Sequence, residues 1–304
     1  MKMLLILNPG SRAGKSKKMW EVWETGLEKA GVDFTRVVTL KPGHALEIAS
    51  SPGNYDILIA AGGDGTINEV IDGAVQSGKE NISVGILYSG TSPDFCRFHR
   101  IPIEPDKALA ALLTGRKKKI DVARISYMNY GRQRQVSHFA CGCNIGIGAS
   151  VAERSNRMRK YTGDKTGTFI ALLRAFMKNP RFNMELSIDG SDYLLEEVNN
   201  VSVLKNSHIA SGLKLNLDIK AFDGRLSVMA VTNRGRLGLL KILPGLYTGN
   251  IVNAKDMFLK SCSTVKISSN PECEVEFDGD PKGFTPAHIE ILPEKLNMIG
   301  GEYD

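Results

Sequence analysis

The sequence contains few cysteines, and their spacing excludes the common metal and redox motifs. Only five of the 304 residues are cysteines, an odd number, and the intervals between them do not repeat. A single residue separates Cys141 from Cys143, whereas zinc and redox motifs usually have two residues between their cysteines. We therefore expect five reduced thiols in a cytoplasmic protein.

Long apolar runs and paired histidines are also missing. The run Met3–Leu7 is too short for a secretion signal, and no later segment approaches the roughly 18 uninterrupted apolar residues of a membrane-spanning helix. The five histidines lack the H-x-x-x-H spacing of a common zinc motif, so we expect no zinc site. The formal net charge of +6 favours an anionic partner, such as a nucleotide, a nucleic acid or an acidic membrane.

Strand and helix patterns alternate through the first 120 residues. The predicted strands are Met3–Leu7, Asp33–Thr39, Ile57–Ala61 and Val84–Tyr88. The predicted helices run from Ser16 to Gly31, over Ala45–Ser50 and over Ile67–Gln76, and the first has Met19, Val22, Trp23 and Leu27 on one face. Such alternation predicts a doubly wound parallel sheet, with ligands at the carboxyl ends of its strands.

After about Ile120 the pattern changes to short strands separated by turns. The predicted strands are Val122–Tyr127, Val136–Cys143, Arg181–Ile188, Tyr193–Leu204, Leu226–Thr232, Thr264–Ser268, Glu274–Asp278 and His288–Leu292, interrupted by one helix at about 167–178. This indicates a mostly antiparallel β domain. We predict an α/β domain over residues 1–122, on which the C-terminal tail 293–304 packs, and an all-β domain over residues 123–292.

The segment Gly62-Gly63-Asp64-Gly65-Thr66 lies directly between a buried strand and a helix. Glycines let the backbone approach a ligand, and a helix amino terminus offers N–H groups and a positive dipole end to phosphate. The simpler interpretation is a tight turn and a capped helix, because Thr66 and Glu69 have the spacing of a capping box. That interpretation leaves three glycines around an acid unexplained, so the segment predicts phosphate binding.

Two further loops follow neighbouring predicted strands. Residues 8–16 nearly match the phosphate-binding P-loop, but Pro9 stands in place of its first glycine and has no N–H to donate. This predicts a loop beside the phosphates rather than a true P-loop. The segment Ser89–Phe95 is an ordinary turn by itself, and it matters because it is the third loop at one sheet edge.

The residues in these loops resemble one family. Asn8-Pro9, Thr39 with Gly43-His44-Ala45, the run Gly-Gly-Asp-Gly-Thr-Ile-Asn-Glu-Val at 62–70, and Gly90-Thr91 with Asp94-Phe95 resemble the diacylglycerol kinase catalytic family, which includes bacterial lipid kinases, sphingosine kinases and ceramide kinases. The resemblance implies a phosphofructokinase-like or NAD-kinase-like nucleotide-binding domain, followed by an antiparallel β-sandwich domain for the lipid substrate.

The resemblance also implies roles for particular residues. It assigns ATP binding to Asn8, Pro9, Gly10, Ser11, Arg12, Thr39, Gly62, Gly63, Asp64, Gly65, Thr66, Asn68, Glu69, Gly90 and Thr91. It implies catalytic roles for Asp64, Asp278 and Asp280, with Asp280 as the general base. It further implies a structural Mg²⁺ bound by the Asp223 side chain and by backbone oxygens of Lys220 and Arg225.

The chain departs from the family pattern at three places. Pro93 stands where asparagine is usual, Asp280 replaces glutamate, and the stretch 207–220 lacks the family's glycine cluster and proline. Without the resemblance, Asp278-Gly279-Asp280 is more simply a hairpin turn than a catalytic pair.

The resulting prediction is a lipid kinase that uses ATP and Mg²⁺ to phosphorylate a hydroxyl of a membrane lipid such as diacylglycerol. We expect no nucleic-acid partner and peripheral binding to an anionic membrane. The sequence is also compatible with a homodimer. The basic segments 154–165 and 116–119 are either solvated faces or membrane contacts. Two alternatives remain: a soluble-substrate kinase of the NAD kinase type, and an inactive regulator that binds nucleotide or membrane.

Overall fold

The computed structural model describes residues 1–11, 16–149, 170, 177–178, 180–209, 213–232, 235–248 and 257–302. The chain divides into two compact units, Met1–Val122 with Pro293–Asp304, and Ala123–Leu292, at the same residues as the two predicted domains. Most of the predicted helix at 167–178, the basic segment 154–165 and the predicted ligand Arg12 lie outside the described residues.

The first unit consists of alternating strands and helices. Its elements are β1 (Lys2–Leu7), α1 (Lys17–Lys29), β2 (Asp33–Val38), α2 (His44–Ser50), β3 (Ile57–Gly62), α3 (Asp64–Gln76), β4 (Ser83–Tyr88), α4 (Asp94–Phe98) and α5 (Pro105–Thr114). The sequence patterns identified every element through β4, but they did not predict the short α4 or α5. Pro105 is at the start of α5, where proline's missing N–H costs nothing.

The strands of this unit form a parallel sheet in the order β2–β1–β3–β4. The chain passes from β1 to β2 on one side and then returns to place β3 on the other side of β1. Residues 297–299, near the chain's end, add a parallel pairing to β4. The order therefore reverses between β1 and β3, which is the position where open α/β sheets bind ligands.

Both faces of the sheet are covered. On one face, Trp20, Trp23 and Leu27 of α1 pack with residues of β1, β3 and α5 in a single core cluster. The alternate residues Leu58 and Ala60 of β3 are equally buried, and α3 packs against β3 and β4. The predicted α1 stripe was wrong at Val22, which is 39% exposed, because the buried positions follow the 20, 23, 27 spacing.

The second unit is rich in β-strands. Its elements are β5 (Lys117–Asn129), β6 (Arg134–Phe139), β7 (Gly142–Gly146), β8 (Phe182–Ile188), β9 (Ser191–Leu204), β10 (His208–Ile209), β11 (Leu213–Lys214), β12 (Leu226–Thr232), α6 (Arg236–Thr248), β13 (Met257–Cys262), β14 (Thr264–Asn270), β15 (Glu274–Phe277) and β16 (Asp280–Ile299). Strands β5 and β16 each include residues of the first unit as well. Helix α6 and strands β10, β11 and β13 were not predicted.

Antiparallel pairing in this unit closes on itself. The pairs run β7–β15–β16–β14–β8–β9 and back to β7, and β12 with β13 extends the sheet from β9. The 14-residue β9 makes this closure possible, because its first half pairs with β8 and its second half pairs with β7 and β12. One core cluster contains inward residues from these strands, so the predicted antiparallel β-rich domain is confirmed.

The cysteines and the helices bear on two of the expectations drawn from the sequence. All five cysteines are free, as expected. None of the helices within the described ranges is both long and apolar enough to cross a bilayer.

We predict that Gly73→Ala destabilises the first unit, because Gly73 of α3 packs directly on α2. An added Cβ would lie 2.6 Å from the Ala49 Cβ and 2.7 Å from the Leu46 carbonyl oxygen, so the helices would have to separate. The expected loss is about 1–3 kcal/mol in the free energy of unfolding.

Urea unfolding followed by tryptophan fluorescence measures this loss, since both tryptophans of the chain lie on α1. Glu28→Ala, on the exposed surface of α1, is the control and should change stability by less than about 0.5 kcal/mol. Equal urea midpoints for the two variants would contradict the prediction.

Candidate functional site

Three loops of the first unit meet at the carboxyl ends of β1, β3 and β4. The Asn8 N–H donates to the Ala61 carbonyl at 3.0 Å, and the Ser89 N–H donates to the Gly62 carbonyl at 2.8 Å. The Asn8 side-chain amide also donates to the Thr66 hydroxyl at 2.8 Å. The structure therefore brings together the three loops that the sequence placed at one sheet edge.

Glycines permit this close approach. A Cβ on Gly62 would lie 2.4 Å from the Thr66 side chain, and a Cβ on Gly90 would lie 2.6 Å from the Gly63 Cα. Neither distance is compatible with a side chain. Gly62 thus makes room for Thr66 within its own segment, and the loops after β3 and β4 touch through Gly63 and Gly90. Packing between the loops thus accounts for glycines that the sequence analysis explained by ligand approach alone.

The helix after β3 begins earlier than predicted. Asp64 is the first residue of α3, and the extended Gly63 before it provides no side-chain cap. The first-turn amides of a helix have no partner within the helix and can bind an anion. The open amino terminus of α3 therefore lies at the centre of the three loops.

The capping-box interpretation of Thr66 and Glu69 was wrong. Thr66 lies inside the first turn of α3 and accepts the hydrogen bond from Asn8. The Glu69 carboxylate instead accepts the N–H groups of Gly43 at 2.9 Å and Ala45 at 3.1 Å, at the start of α2. Glu69 thus caps a neighbouring helix, a contact between segments more than 20 residues apart that spacing could not reveal.

Asp64 links the loops after β3 and β4. Its carboxylate accepts the Asp94 N–H at 3.3 Å, at the first residue of α4. The buried Asp94 carboxylate in turn lies 3.3 Å from Arg97, with which it forms an ion pair. Pro93, one of the departures from the family pattern, is the buried residue immediately before α4. Asp64 therefore holds the loop geometry, whatever further role it has.

The residues predicted to bind nucleotide fall into two groups by exposure. Those that are buried are Ser11, Thr39, Gly62, Thr66, Asn68 and Gly90. Those that are exposed or half-buried are Asn8, Pro9, Gly10, Gly63, Asp64, Gly65, Glu69 and Thr91. The second group is the one that presents atoms to solvent, and within it Glu69 is already engaged by α2.

In the second unit, Asp278 and Gly279 form the two-residue turn between β15 and β16. Phe277 pairs with Asp280 across the turn, and the φ angles of Asp278 and Gly279 are 49° and 92°. Two successive left-handed residues are characteristic of a tight hairpin turn, so the motif forms such a turn, and its catalytic role stays a prediction.

The Asp278 carboxylate is bound by three backbone N–H groups. It accepts hydrogen bonds from Ala140 at 3.2 Å, Cys141 at 3.1 Å and Gly142 at 2.9 Å. Burial raises the pKa of Asp278 to about 6, although these amide bonds oppose the rise. These contacts also explain why the predicted strand Val136–Cys143 divides into β6 and β7. In this geometry Asp278 positions the turn, and the catalytic role that the resemblance implies for it stays a prediction.

Asp280 is the acid of this turn that solvent can reach. Its side chain is 48% exposed, and its carboxylate lies 3.5 Å from the Lys282 ammonium. An accessible carboxylate on a hairpin turn that Asp278 holds in place is chemically suited to accept a proton.

The sequence analysis missed Glu276, a buried carboxyl next to this turn. Glu276 is 4% exposed, accepts the Asn144 side-chain amide at 2.7 Å, and also accepts the Gly279 N–H. Burial raises the pKa of Glu276 to about 8, although the two hydrogen bonds oppose that rise.

A polar network continues from Glu276. The Ser202 hydroxyl donates to the Asn144 side-chain oxygen at 2.7 Å. Strand alternation places Glu276 on the face opposite Val275 and Phe277, where a solvent-exposed acid is the ordinary expectation. The 4% exposure of Glu276 shows that this face is buried as well.

The residues predicted to hold a structural Mg²⁺ do not fit that ion in this arrangement. The Asp223 carboxylate accepts the Lys205 ammonium at 2.6 Å, the Arg225 N–H at 3.0 Å and the Lys220 N–H at 3.3 Å. The Arg225 carbonyl oxygen accepts the same ammonium at 3.1 Å. Magnesium needs oxygen ligands, and here two of the three predicted ligands, the Asp223 carboxylate and the Arg225 carbonyl, already bind the Lys205 ammonium.

The pKa of Asp223 reflects the same partners. Burial alone would raise the pKa of Asp223, but the hydrogen bond and charge of Lys205, together with the two amides, lower it. In the portion of the chain that the structure describes, no group of three or more His, Cys, Asp or Glu side chains could hold a metal ion.

Each of the two units matches a known protein family. Residues 2–125 match the diacylglycerol kinase catalytic domain, and residues 142–300 match the YegS C-terminal NAD kinase beta sandwich-like domain. The diacylglycerol kinase of Staphylococcus saprophyticus is 25% identical, over 97% of this chain and 94% of that protein. The diacylglycerol kinase of Staphylococcus aureus is 26% identical, over 97% of this chain and 91% of that protein.

Solved structures show the same fold. A crystal structure of a diacylglycerol kinase from Bacillus anthracis has a TM-score of 0.72 at 23% identity, over 98% of this chain and 96% of that one. Yeast NADH kinase complexed with NADH has a TM-score of 0.55 at 12% identity, over 98% of this chain and 82% of that one. At such identities the likeness shows the fold alone.

We predict that Glu276 makes the protein less stable as pH rises from about 4.5 to about 8. Between these values the unfolded chain has released this proton, whereas the folded chain retains it, so raising the pH favours unfolding. One proton gives a slope of at most about 1.4 kcal/mol per pH unit. Glu276→Gln mimics the neutral carboxyl and should remove this part of the slope.

Urea midpoints measured by circular dichroism from pH 5 to pH 8 test this prediction. The raised pKa of Asp278 contributes a slope of the same sign, which the variant should keep. Glu196→Gln, at an exposed position on β9, is the control and should follow the unmodified protein. Parallel pH curves for Glu276→Gln and the unmodified protein would show that the prediction is wrong.

Proposed function

Since the chain belongs to the diacylglycerol kinase family, we propose that it is a lipid kinase that transfers the γ-phosphoryl group of ATP to a hydroxyl of a membrane lipid such as diacylglycerol. The observation that carries this proposal is the convergence of the loops after β1, β3 and β4 on the open amino terminus of α3. Backbone N–H groups in such a position favour a polyphosphate.

The nucleotide contacts are proposed for the exposed part of the predicted set. Gly63, Asp64 and Gly65 bracket the start of α3, and Asn8 with Gly10 lies beside it. The buried residues Thr66 and Gly90 support these loops from behind. The ATP would bring its own Mg²⁺, which neutralises the charge on the phosphates during transfer.

Asp280 is proposed as the general base. As the lipid hydroxyl oxygen forms its bond to the γ-phosphorus, the bond from that phosphorus to the bridging oxygen breaks and ADP leaves. The hydroxyl proton passes to the Asp280 carboxylate. Glu276 and Asp278 are proposed as positioning residues, because their bonds to Gly279 and to residues 140–142 hold the turn that carries Asp280.

We also propose that the protein acts in the cytoplasm at the surface of an anionic membrane, without crossing it. The substrate lipid requires access to a bilayer, and the net charge of +6 favours an anionic one. Within the basic segment 116–119, Arg116, Lys117 and Lys119 are exposed at the start of β5.

A phosphorylation assay tests the proposal. Purified protein is incubated with radiolabelled ATP, Mg²⁺ and mixed micelles that contain diacylglycerol, monoacylglycerol, phosphatidylglycerol or a sphingoid base. We expect label in at least one lipid. Label on NAD with none on lipid would favour the NAD kinase alternative, and stabilisation by ATP without turnover would favour an inactive regulator.

We predict that Asp280→Asn lowers kcat by about 10²–10⁴-fold, because the amide cannot accept the hydroxyl proton. Asp280→Glu, which restores the acid usual in the family, should keep activity. Asp192→Asn, at an exposed position on β9, is the matched control. Unchanged kcat in Asp280→Asn, with an unfolding midpoint equal to that of the control, would remove Asp280 from the mechanism.

A further inference from the structure

A lysine side chain is completely buried in the second unit. Lys205 directly follows β9 and is 1% exposed, although lysine is almost never fully buried unless it is paired. Its ammonium lies 2.6 Å from the Asp223 carboxylate and 3.1 Å from the Arg225 carbonyl oxygen. A buried cation with these two oxygen partners requires an explanation.

The backbone holds both ends of this pair in place. The Lys205 N–H donates to the Cys141 carbonyl at 2.8 Å, which fixes the chain at the end of β9. On the other side, Asp223 lies in the turn before β12, where the N–H groups of Lys220 and Arg225 bind its carboxylate. The ion pair therefore ties the end of β9 to the turn that leads into β12.

The same oxygens were predicted to hold a divalent cation. The Asp223 carboxylate and the Arg225 carbonyl are two of the three expected ligands, and both are within hydrogen-bond distance of the ammonium. A second cation on these oxygens would lie within a few ångströms of the buried ammonium, and like charges at that distance repel each other. The ammonium and a metal ion at this position therefore exclude each other.

We propose that the Lys205 ammonium replaces the structural metal ion in this chain and performs its task of joining β9 to the turn before β12. The Lys205–Asp223 ion pair then holds this part of the second unit without a metal ion. The replacement itself follows from the contacts of Lys205 and does not rest on the proposed function.

Thermal unfolding of the nucleotide-free protein tests this proposal. The unfolding midpoint should be equal, within about 1 °C, in excess EDTA and in excess MgCl₂ at matched ionic strength, because no structural ion is lost. Lys205→Ala should lower the midpoint by at least about 4 °C, because it leaves the Asp223 carboxylate partly buried without its cation. Lys266→Ala, at an exposed position on β14, is the matched control and should leave the midpoint unchanged.

Two results would overturn the proposal. One is a midpoint of the unmodified protein that falls in EDTA, with the fall absent in Asp223→Asn. The other is an unchanged midpoint in Lys205→Ala.

A second measurement needs no variant, so it remains decisive if Lys205→Ala fails to fold. Crystals of the unmodified protein soaked in MnCl₂ should show no anomalous scattering peak beside Asp223. A peak bonded to the Asp223 carboxylate and to the Arg225 carbonyl would mean that a metal displaces the lysine, and it would overturn the proposal.

Discussion

The candidate nucleotide site depends on how closely three loops of the first unit approach one another. Gly62 makes room for the Thr66 side chain, and Gly90 packs against the Gly63 backbone. These contacts place Asn8 within hydrogen-bond distance of Thr66 and leave the amino terminus of α3 open at the reversal of strand order. A Cβ at Gly90 would separate the loops after β3 and β4, and a Cβ at Gly62 would displace Thr66, the hydrogen-bond partner of Asn8.

Ionisable side chains that are buried or half-buried hold the corresponding geometry in the second unit. Asp278 binds three backbone amides, Glu276 binds the turn at Gly279, and Lys205 binds Asp223. Each buried group has specific partners, which is the condition under which a protein tolerates charge in its interior. Asp278 and Glu276 thereby hold the turn that carries Asp280.

The departures from the family pattern have distinct structural settings. Pro93 is buried at the start of α4, where its missing N–H leaves no unpaired donor. Asp280 has a shorter side chain than the usual glutamate but begins β16 at a position fixed by the hairpin. The unusual stretch 207–220 lies between Lys205 and Asp223, and the ion pair of these two residues joins its ends. These settings are consistent with an altered but organised site.

The sequence by itself determined the two-domain organisation, the parallel strands through β4, most of the antiparallel strands and the three glycine-containing loops. It could do so because apolar periodicity and strand-to-helix turns are local properties. Only the tertiary structure decided that Glu69 caps α2, that Glu276 is buried, and that Lys205 occupies the predicted metal position. Each of these features depends on a partner that is distant along the chain. The burial of Glu276 also requires that the second face of its strand is covered. Burial and pairing arise when separate elements pack, so no local pattern encodes them.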